Sequence, residues 1–140
     1  MKHNSVTETI LADRFGKDSL IALATVSGSV PHVRTVDAVY IRGAFYVVTH
    51  ALSGKMRQIG QNPIIAVSGE WFTAHGVGEN LGHVLLPENQ AIMSVLRRAF
   101  AAWYDNGHTN EQDTNTCLLK LRLTDGVLFA DGQRYDITFP

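Results

Sequence analysis

Short apolar segments, separated at close intervals by turn residues, limit what this chain can fold into. Leu20–Val26 is apolar and ends at Ser27-Gly28-Ser29, and Val30–Ile41 follows with many β-branched residues. Arg42-Gly43 then separates that segment from Phe45–Thr49. Segments of this length, bounded in this way, are typical of antiparallel strands joined by hairpins. None approaches the roughly 20 apolar residues that a transmembrane helix requires. We therefore predict that the chain begins a sheet with a three-stranded meander.

More strands are expected further along the chain. Ile64–Val67 and Trp71–Val77 have strand composition, and the glycines around them predict bends or bulges. Near the end, Cys117 begins an alternation of apolar and polar residues that is typical of a half-buried strand. Asp125-Gly126 and Asp131-Gly132 are both predicted to be hairpin turns.

Three segments have helical patterns. Ser5 to Glu8 fits a capping box and begins a short helix that ends at Gly16. Ser53 is predicted to cap a second short helix, which Asn62-Pro63 stops. From Pro87 to Trp103 the apolar residues recur at helical spacing, which predicts one long amphipathic helix.

Six to eight antiparallel strands with one long and two short helices favour a mainly β fold that closes into a barrel. No linker or repeat divides residues 1–140, so we predict a single domain. The net charge of −1 provides no overall field for nucleic acid or anionic membranes. Cys117 is the only cysteine and the six histidines lack metal-site spacing, so no metal site is predicted. The amino-terminal residues lack an apolar signal core, so we expect a cytoplasmic protein.

One segment has the composition of an anion site. Ser53-Gly54-Lys55 follows a strand directly, and the first turn of a helix there offers free backbone N–H groups beside a hydroxyl and an ammonium. Arg34, on a neighbouring predicted strand, offers a guanidinium suited to a pair of phosphate oxygens. The alternative is that Arg34 is a solvated strand residue and that Ser53 only caps a helix.

Taken in order, these segments resemble the FMN-binding split-barrel proteins related to pyridoxamine 5'-phosphate oxidase. The resemblance covers about residues 20–137 and rests on the order and spacing of six pieces: Ile21–Thr25, Pro31–Val36, a strand ending in Val48-Thr49, Ser53-Gly54-Lys55, Asn62-Pro63 and a strand leading to Gly76. It implies a split antiparallel β-barrel with helices. It also implies a homodimer with two FMN sites at the subunit interface.

The resemblance also implies which residues hold the flavin. Arg34 and Lys55 match the phosphate-binding positions of the family, and Ser53 lies close by. The backbone at Thr35, Val36, Val48 and Thr49 would flank the flavin ring and ribityl chain, and Trp71 lies near a further contact position.

The chain departs from the family at several positions. Gly54 stands where the family commonly has a second basic residue, and the chain has Asp37 and Val39 where another lies, a few residues after the match to Arg34. The carboxyl-terminal segment lacks the tryptophan and arginine signature of the oxidase. We therefore do not predict that oxidase activity, and no catalytic residue is assigned.

The resulting expectation is an FMN-dependent oxidoreductase of unknown substrate. One alternative is a non-enzymatic flavin- or haem-binding or storage protein on the same barrel, with His75 as the candidate axial ligand of a haem. Another is a structural dimer whose site has decayed.

Overall fold

The structure is a computed structural model that describes all 140 residues. It contains three helices and seven strands: α1 (Ser5–Phe15), β1 (Ser19–Ser27), β2 (Val30–Ile41), β3 (Ala44–His50), α2 (Gly54–Gln61), β4 (Ile64–Gly69), β5 (Phe72–His83), α3 (Gln90–Ala99), β6 (Thr116–Ala130) and β7 (Gln133–Thr138). A short 3₁₀ turn at Pro87–Asn89 precedes α3. None of the three helices combines the length and apolarity needed to cross a membrane.

The strands form one antiparallel sheet in the order β3-β2-β1-β4-β5-β6-β7. β3 also pairs with β6 along its whole length, from Ala44 with Arg122 to His50 with Thr116, so the first six strands close into a barrel. β7 extends the sheet by pairing with β6 beyond that closure. The predicted mainly β, antiparallel barrel with helices is confirmed.

The barrel opens between β2 and β3. These strands pair only where Val39–Ile41 meets Ala44–Tyr46, although both continue well beyond that point. Helix α2 follows β3 directly and packs against β1 and β5. A Cβ atom at Gly78 of β5 would lie 2.9 Å from the Ile59 side chain, so the missing side chain at Gly78 allows α2 to approach the sheet.

Two hydrophobic cores stabilise the molecule. The larger one fills the barrel, with Leu11 and Phe15 of α1 packed against the inward side chains of the strands. The smaller one lies outside the barrel, where Met93, Leu96 and Phe100 pack against β2, β3 and β6. β6 contributes to both cores, because Leu119 faces the interior whereas its neighbour Leu118 faces α3.

Three local predictions are wrong in detail. The cap of α1 is Asn4, whose side chain accepts from the N–H groups of Val6 and Thr7, so the capping box begins one residue before Ser5. The helix predicted from Pro87 to Trp103 has only ten α-helical residues, Gln90–Ala99, and continues as turns.

The third error concerns Asp125-Gly126, which is not a turn but part of the long strand β6. In its pairing with β5, Asp125 lies opposite His75, whereas the next partner, Gly76, lies opposite Leu123. Thr124 is thus an extra residue on β6, and the turn signal marks a β-bulge. Asp131-Gly132 does connect β6 to β7, as predicted.

Candidate functional site

The candidate site lies where α2 begins, beside the opening between β2 and β3. Ser53 is the N-cap of α2, and its hydroxyl accepts a hydrogen bond from the Met56 N–H at 3.4 Å. The first backbone N–H groups of α2 have no partner within the helix, so this end carries a partial positive charge. The cap predicted at Ser53 and the stop at Asn62-Pro63 are both confirmed.

Arg34 extends from β2 towards α2 and is held by β1 and α2. Its NH1 group donates to the hydroxyl of Thr25 on β1 at 2.7 Å and to the Leu23 carbonyl at 3.3 Å. Its NH2 group donates to Oε1 of Gln58 on α2 at 3.1 Å. The guanidinium is therefore an ordered, partly buried group and not a freely solvated strand residue, which resolves the alternative left open by the sequence.

Lys55 reaches the same region from the first turn of α2. Its Nζ donates to the Thr49 hydroxyl at the end of β3 at 2.8 Å. The pKa of Lys55 is lowered, first by burial and then by the positive charge of Arg34. Arg34 bonds to Gln58, which lies one turn after Lys55 on the same face of α2, so both cations meet α2 near its start. We refer to Arg34 and Lys55 as the cation pair.

The cation pair keeps hydrogen-bonding capacity for a ligand. Neither residue takes part in any of the ion pairs of the chain. The Nε–H of Arg34 makes no hydrogen bond, and Lys55 uses one of its three N–H donors. Two cations without a carboxylate, beside a helix N-terminus, are the donor set that a phosphate dianion requires.

The other predicted flavin contacts are distributed over neighbouring elements. Thr35 and Val36 follow Arg34 on β2, with Thr35 exposed outside the barrel and Val36 buried inside it. Val48 and Thr49 lie at the end of β3, next to Lys55. The structure thus brings the predicted β2, β3 and α2 residues to one end of the barrel.

Trp71 does not join this group within a single chain. It occupies the turn between β4 and β5 with a positive φ of 54°, and its side chain is 68% exposed. Its ring packs edge-on against Phe129 of β6, and its carbonyl is one of three oxygens near the Arg14 guanidinium. Its assignment as a flavin contact stays a prediction.

Two residues of the site were not predicted from the sequence. Thr25 is completely buried, and its hydroxyl donates to Oε1 of Gln58 at 2.5 Å while accepting from Arg34. Gln58 lies one turn after Lys55 and thereby links α2 to β1 and β2. The sequence did contain a hint, because Thr25 is a polar residue on the same strand face as Ile21 and Leu23, and both of these point into the core.

A shallow apolar groove of about 320 Å³ lies on the outer face of the sheet. It runs across β1, β2, β4, β5 and β6, and its lining includes Ala22, Ala24, Val33, Ala66, His75 and Val127. Val33 is 71% exposed there, and Leu20 and Ile64 are also exposed large apolar residues on β1 and β4. A connected apolar surface of this kind is typical of a protein or ligand interface.

His75 is the polar feature of this groove. Its Nδ1 lies 2.9 Å from Oδ1 of Asp125, the residue directly opposite on β6, so the Nδ1–H donates to the carboxylate. The Nε2 atom makes no hydrogen bond within the chain and faces outward on a side chain that is 67% exposed.

Comparison with solved structures identifies the fold. An FAD-binding protein from Mesorhizobium loti matches with a TM-score of 0.67 and 13% identity, over 89% of this chain and 92% of that one. A second match is a Clostridium acetobutylicum protein of the pyridoxinephosphate oxidase family that is related to general stress protein 26. Its TM-score is 0.63 at 12% identity, over 95% of this chain and 92% of that one. The fold is the split barrel of the pyridoxamine 5'-phosphate oxidase-like proteins.

A haem-binding protein from Mycobacterium smegmatis also has this split barrel. It matches with a TM-score of 0.68 and 18% identity, over 99% of this chain but only 60% of that one. No protein-family model and no curated protein sequence matches the chain. At these identities the comparisons establish the split barrel, and the resemblance seen in the sequence is confirmed at that level.

Proposed function

We propose that the chain binds FMN, with the flavin phosphate on the cation pair and the first turn of α2. The observation that carries this proposal is that Arg34, through Gln58, and Lys55, from the first turn, both meet α2 near its N-terminus without any carboxylate partner. A monoester phosphate carries close to two negative charges at neutral pH, which two cations and the helix dipole would balance. The donor set therefore fits FMN.

The chain's own residues would do three things for the flavin. Arg34 and Lys55 would bind the phosphate, and Thr25 and Gln58 would hold the Arg34 guanidinium in place. The backbone at Thr35, Val36, Val48 and Thr49 would border the ring and ribityl chain. Bound flavin supplies hydride and single-electron transfer, so an oxidoreductase of unknown substrate is the activity we favour.

The binding proposal is tested with the double variant Arg34→Ala/Lys55→Ala. Wild-type protein mixed with FMN and separated from free ligand should keep a flavin spectrum, and the double variant should not. Arg98, an exposed arginine of α3 that forms no ion pair, provides the matched control Arg98→Ala. Equal retention by the double variant and the wild type would refute the assignment of the phosphate site.

We further propose that a second copy of the chain covers the apolar groove and that the flavin sites lie at the resulting interface. Burying this surface would stabilise a dimer by about 25 cal/mol for each Å² of apolar area removed from water. Val33→Asp should shift the protein from dimer to monomer in light scattering while leaving its circular dichroism unchanged. It should also weaken FMN retention. A dimer of unchanged stability would contradict this interface.

Enzyme and storage protein are distinguished by turnover. Reduction of bound flavin by a nicotinamide cofactor, followed by repeated reoxidation with an electron acceptor, is expected for the oxidoreductase. Flavin that stays bound but is reduced no faster than free FMN would favour the non-enzymatic alternative.

A haem-binding protein is the second candidate, and His75 is the observation that favours it. A histidine whose Nδ1–H is held by a carboxylate presents Nε2 as a well-oriented metal ligand, and an apolar groove suits a porphyrin. Added haem should then give a sharp Soret band that His75→Ala abolishes. A broad haem spectrum that is identical in wild type and variant would remove this candidate.

A further inference from the structure

The turns between α3 and β6 carry the only Asn-Gly pair of the chain. Of seven asparagines, Asn106 alone is followed by glycine. Asn106 and Gly107 are both exposed and lie outside the helices and strands. The segment around them is anchored, because the Glu111 carboxylate accepts hydrogen bonds from Arg97 at 2.9 Å and from Tyr104 at 2.6 Å. The pair therefore lies on an exposed loop whose two flanks are held together.

The side chain of Asn106 folds back over its own turn. Its Oδ1 atom accepts a hydrogen bond from the backbone N–H of His108 at 3.2 Å. This bond polarises the side-chain carbonyl and closes a ring of atoms that includes the Gly107 nitrogen. The Gly107 N–H makes no hydrogen bond within the chain. An electrophilic carbon and an unengaged amide nitrogen are thus held in one small ring, which favours a reaction between them.

Gly107 leaves the nitrogen accessible. Its φ is +98°, in the region that glycine adopts freely, and a Cβ atom at this position would meet nothing within 4 Å. With no side chain at residue 107, the Asn106 amide can approach the nitrogen without a steric obstacle.

Asn110 provides a contrast within the same loop. It is exposed, and its Oδ1 atom accepts from the Gln112 N–H at 3.0 Å, so its side chain also bonds to the second residue after it. The N–H of Glu111, which follows it, makes no hydrogen bond either. The residue after asparagine distinguishes the two sites, since the side chain of Glu111 crowds the nitrogen and glycine does not.

We propose that Asn106 is a site of spontaneous deamidation, which divides the protein over time into two charge forms. The Gly107 nitrogen, after losing its proton to solvent, bonds to Cγ of Asn106, and the side-chain nitrogen leaves as ammonia. Water then opens the succinimide. Cleavage of the bond to Cγ gives aspartate, and cleavage of the bond to the main-chain carbonyl carbon gives isoaspartate. The reaction requires only the chain and water, so this inference is independent of the proposed function.

Both products add a negative charge between Asp105 and His108. His108 lines a polar cavity of about 190 Å³ that His50 and Asp113 also line. Isoaspartate in addition lengthens the main chain by one methylene group within the anchored loop. Deamidation therefore changes both the charge and the backbone beside this cavity.

The test follows deamidation by peptide mass spectrometry after incubation of the purified protein at pH 8 and at pH 6. Trypsin releases residues 99–120 as one peptide, which contains Asn106, Asn110 and Asn115. We expect a gain of one mass unit at Asn106, as a mixture of aspartate and isoaspartate, and none at Asn110. The gain should be faster at pH 8, because the attacking nitrogen must lose its proton.

Three variants test the roles of the two residues. Asn106→Gln should abolish the gain at position 106, and Gly107→Ala should slow it about tenfold or more, because the added side chain obstructs the approach. Gly132→Ala is the matched control, since Gly132 also has a positive φ and open space around it but follows an aspartate. It should leave the rate at Asn106 unchanged. Circular dichroism checks that each variant is folded.

Three results would overturn the inference. The first is no gain at Asn106 of the folded protein under conditions in which a synthetic peptide of residues 99–120 is deamidated there, because the loop would then hold the reacting groups apart. The second is an equal gain at Asn106 and Asn110, because exposure and not the glycine would then control the reaction. The third is aspartate without isoaspartate, which would indicate direct hydrolysis of the amide without a succinimide.

Discussion

The hydrogen bonds that hold Arg34 should contribute measurably to stability, and Thr25→Val tests this contribution. Valine has nearly the shape of threonine, so the completely buried position keeps its packing. The substitution removes the 2.7 Å bond from Arg34 and the 2.5 Å bond to Gln58. Arg34 still has the Leu23 carbonyl and Gln58 Oε1, so neither partner is left without any hydrogen bond.

The magnitude follows from these contacts. A hydrogen bond to a charged group contributes about 1.5–3 kcal/mol to the free energy of unfolding, and a neutral one about 0.5–1.5 kcal/mol. The methyl group that replaces the hydroxyl is buried and adds about 0.8 kcal/mol of stability. Because Arg34 keeps its other partners, we expect Thr25→Val to lower the free energy of unfolding by about 2 kcal/mol. For a chain of this size that corresponds to a fall in Tm of roughly 6–8 °C.

The assay is thermal unfolding of ligand-free protein followed by circular dichroism. Thr25→Ser retains the hydroxyl and should lower the free energy of unfolding less. Thr138→Val, on the exposed face of β7 and outside the groove, should stay within about 0.5 kcal/mol of the wild type. FMN affinity should fall in Thr25→Val, because Arg34 loses the shortest bond that orients it. A Tm within 1–2 °C of the wild type would refute the reasoning that this network stabilises the fold.

Three further predictions concern the second core, a carboxyl pair and a close strand contact. Phe100→Ala removes a completely buried ring and should lower the free energy of unfolding in denaturant by about 3–5 kcal/mol. A decrease of less than about 1 kcal/mol would contradict the packing of the smaller core. Burial and the neighbouring Asp18 raise the pKa of Asp37 to about 6, so the folded state favours the protonated carboxyl. The resulting contribution to stability is complete below pH 4 and is lost as the pH rises through 6. Asp37→Asn should therefore be more stable than the wild type at pH 7 but not at pH 4, and an equal difference at both pH values would contradict this. Gly76→Ala would place a Cβ atom against the Arg122 carbonyl oxygen of β6 and should destabilise the chain by more than about 2 kcal/mol. Gly60→Ala places its Cβ atom in open space and should be neutral or stabilising in the same assay.

The strands were predictable because their boundaries are local. Arg42-Gly43 and Asp131-Gly132 sit in tight turns with positive φ, a conformation that Gly43 and Gly132 favour and that Asp131 tolerates. The error at Asp125-Gly126 has a long-range cause. β6 pairs with β5 and β7 at the same time, and this pairing keeps Asp125-Gly126 extended. The segment therefore forms no turn, and the strand only has a β-bulge beside it.

The length of α3 was not predictable from its apolar pattern. The spacing from Ile92 to Trp103 is helical throughout, but the structure buries Met93, Leu96 and Phe100 and leaves Val95 exposed. After Ala99 the chain proceeds through turns in which Trp103 donates a hydrogen bond to Asp18 at 2.9 Å. Such a contact with a distant residue has no signature in the local sequence.

The candidate site was predictable in its charges but not in its supports. Lys55 was found because it follows a helix start, which is a local pattern, and Arg34 because it lies on a neighbouring predicted strand and matches a phosphate-binding position of the family that the sequence resembles. Thr25 and Gln58 support Arg34 through contacts between β1, β2 and α2, which exist only after the barrel has closed.

Flavin retention is the most direct test of this account. The visible absorption spectrum of the purified protein should be recorded before and after addition of excess FMN and removal of free ligand by gel filtration. We predict a retained flavin spectrum with one FMN for each chain. A protein that stays colourless under these conditions would contradict the central claim that the cation pair at α2 is a flavin phosphate site, and a sharp Soret band from the protein as purified would favour the haem candidate at His75 instead.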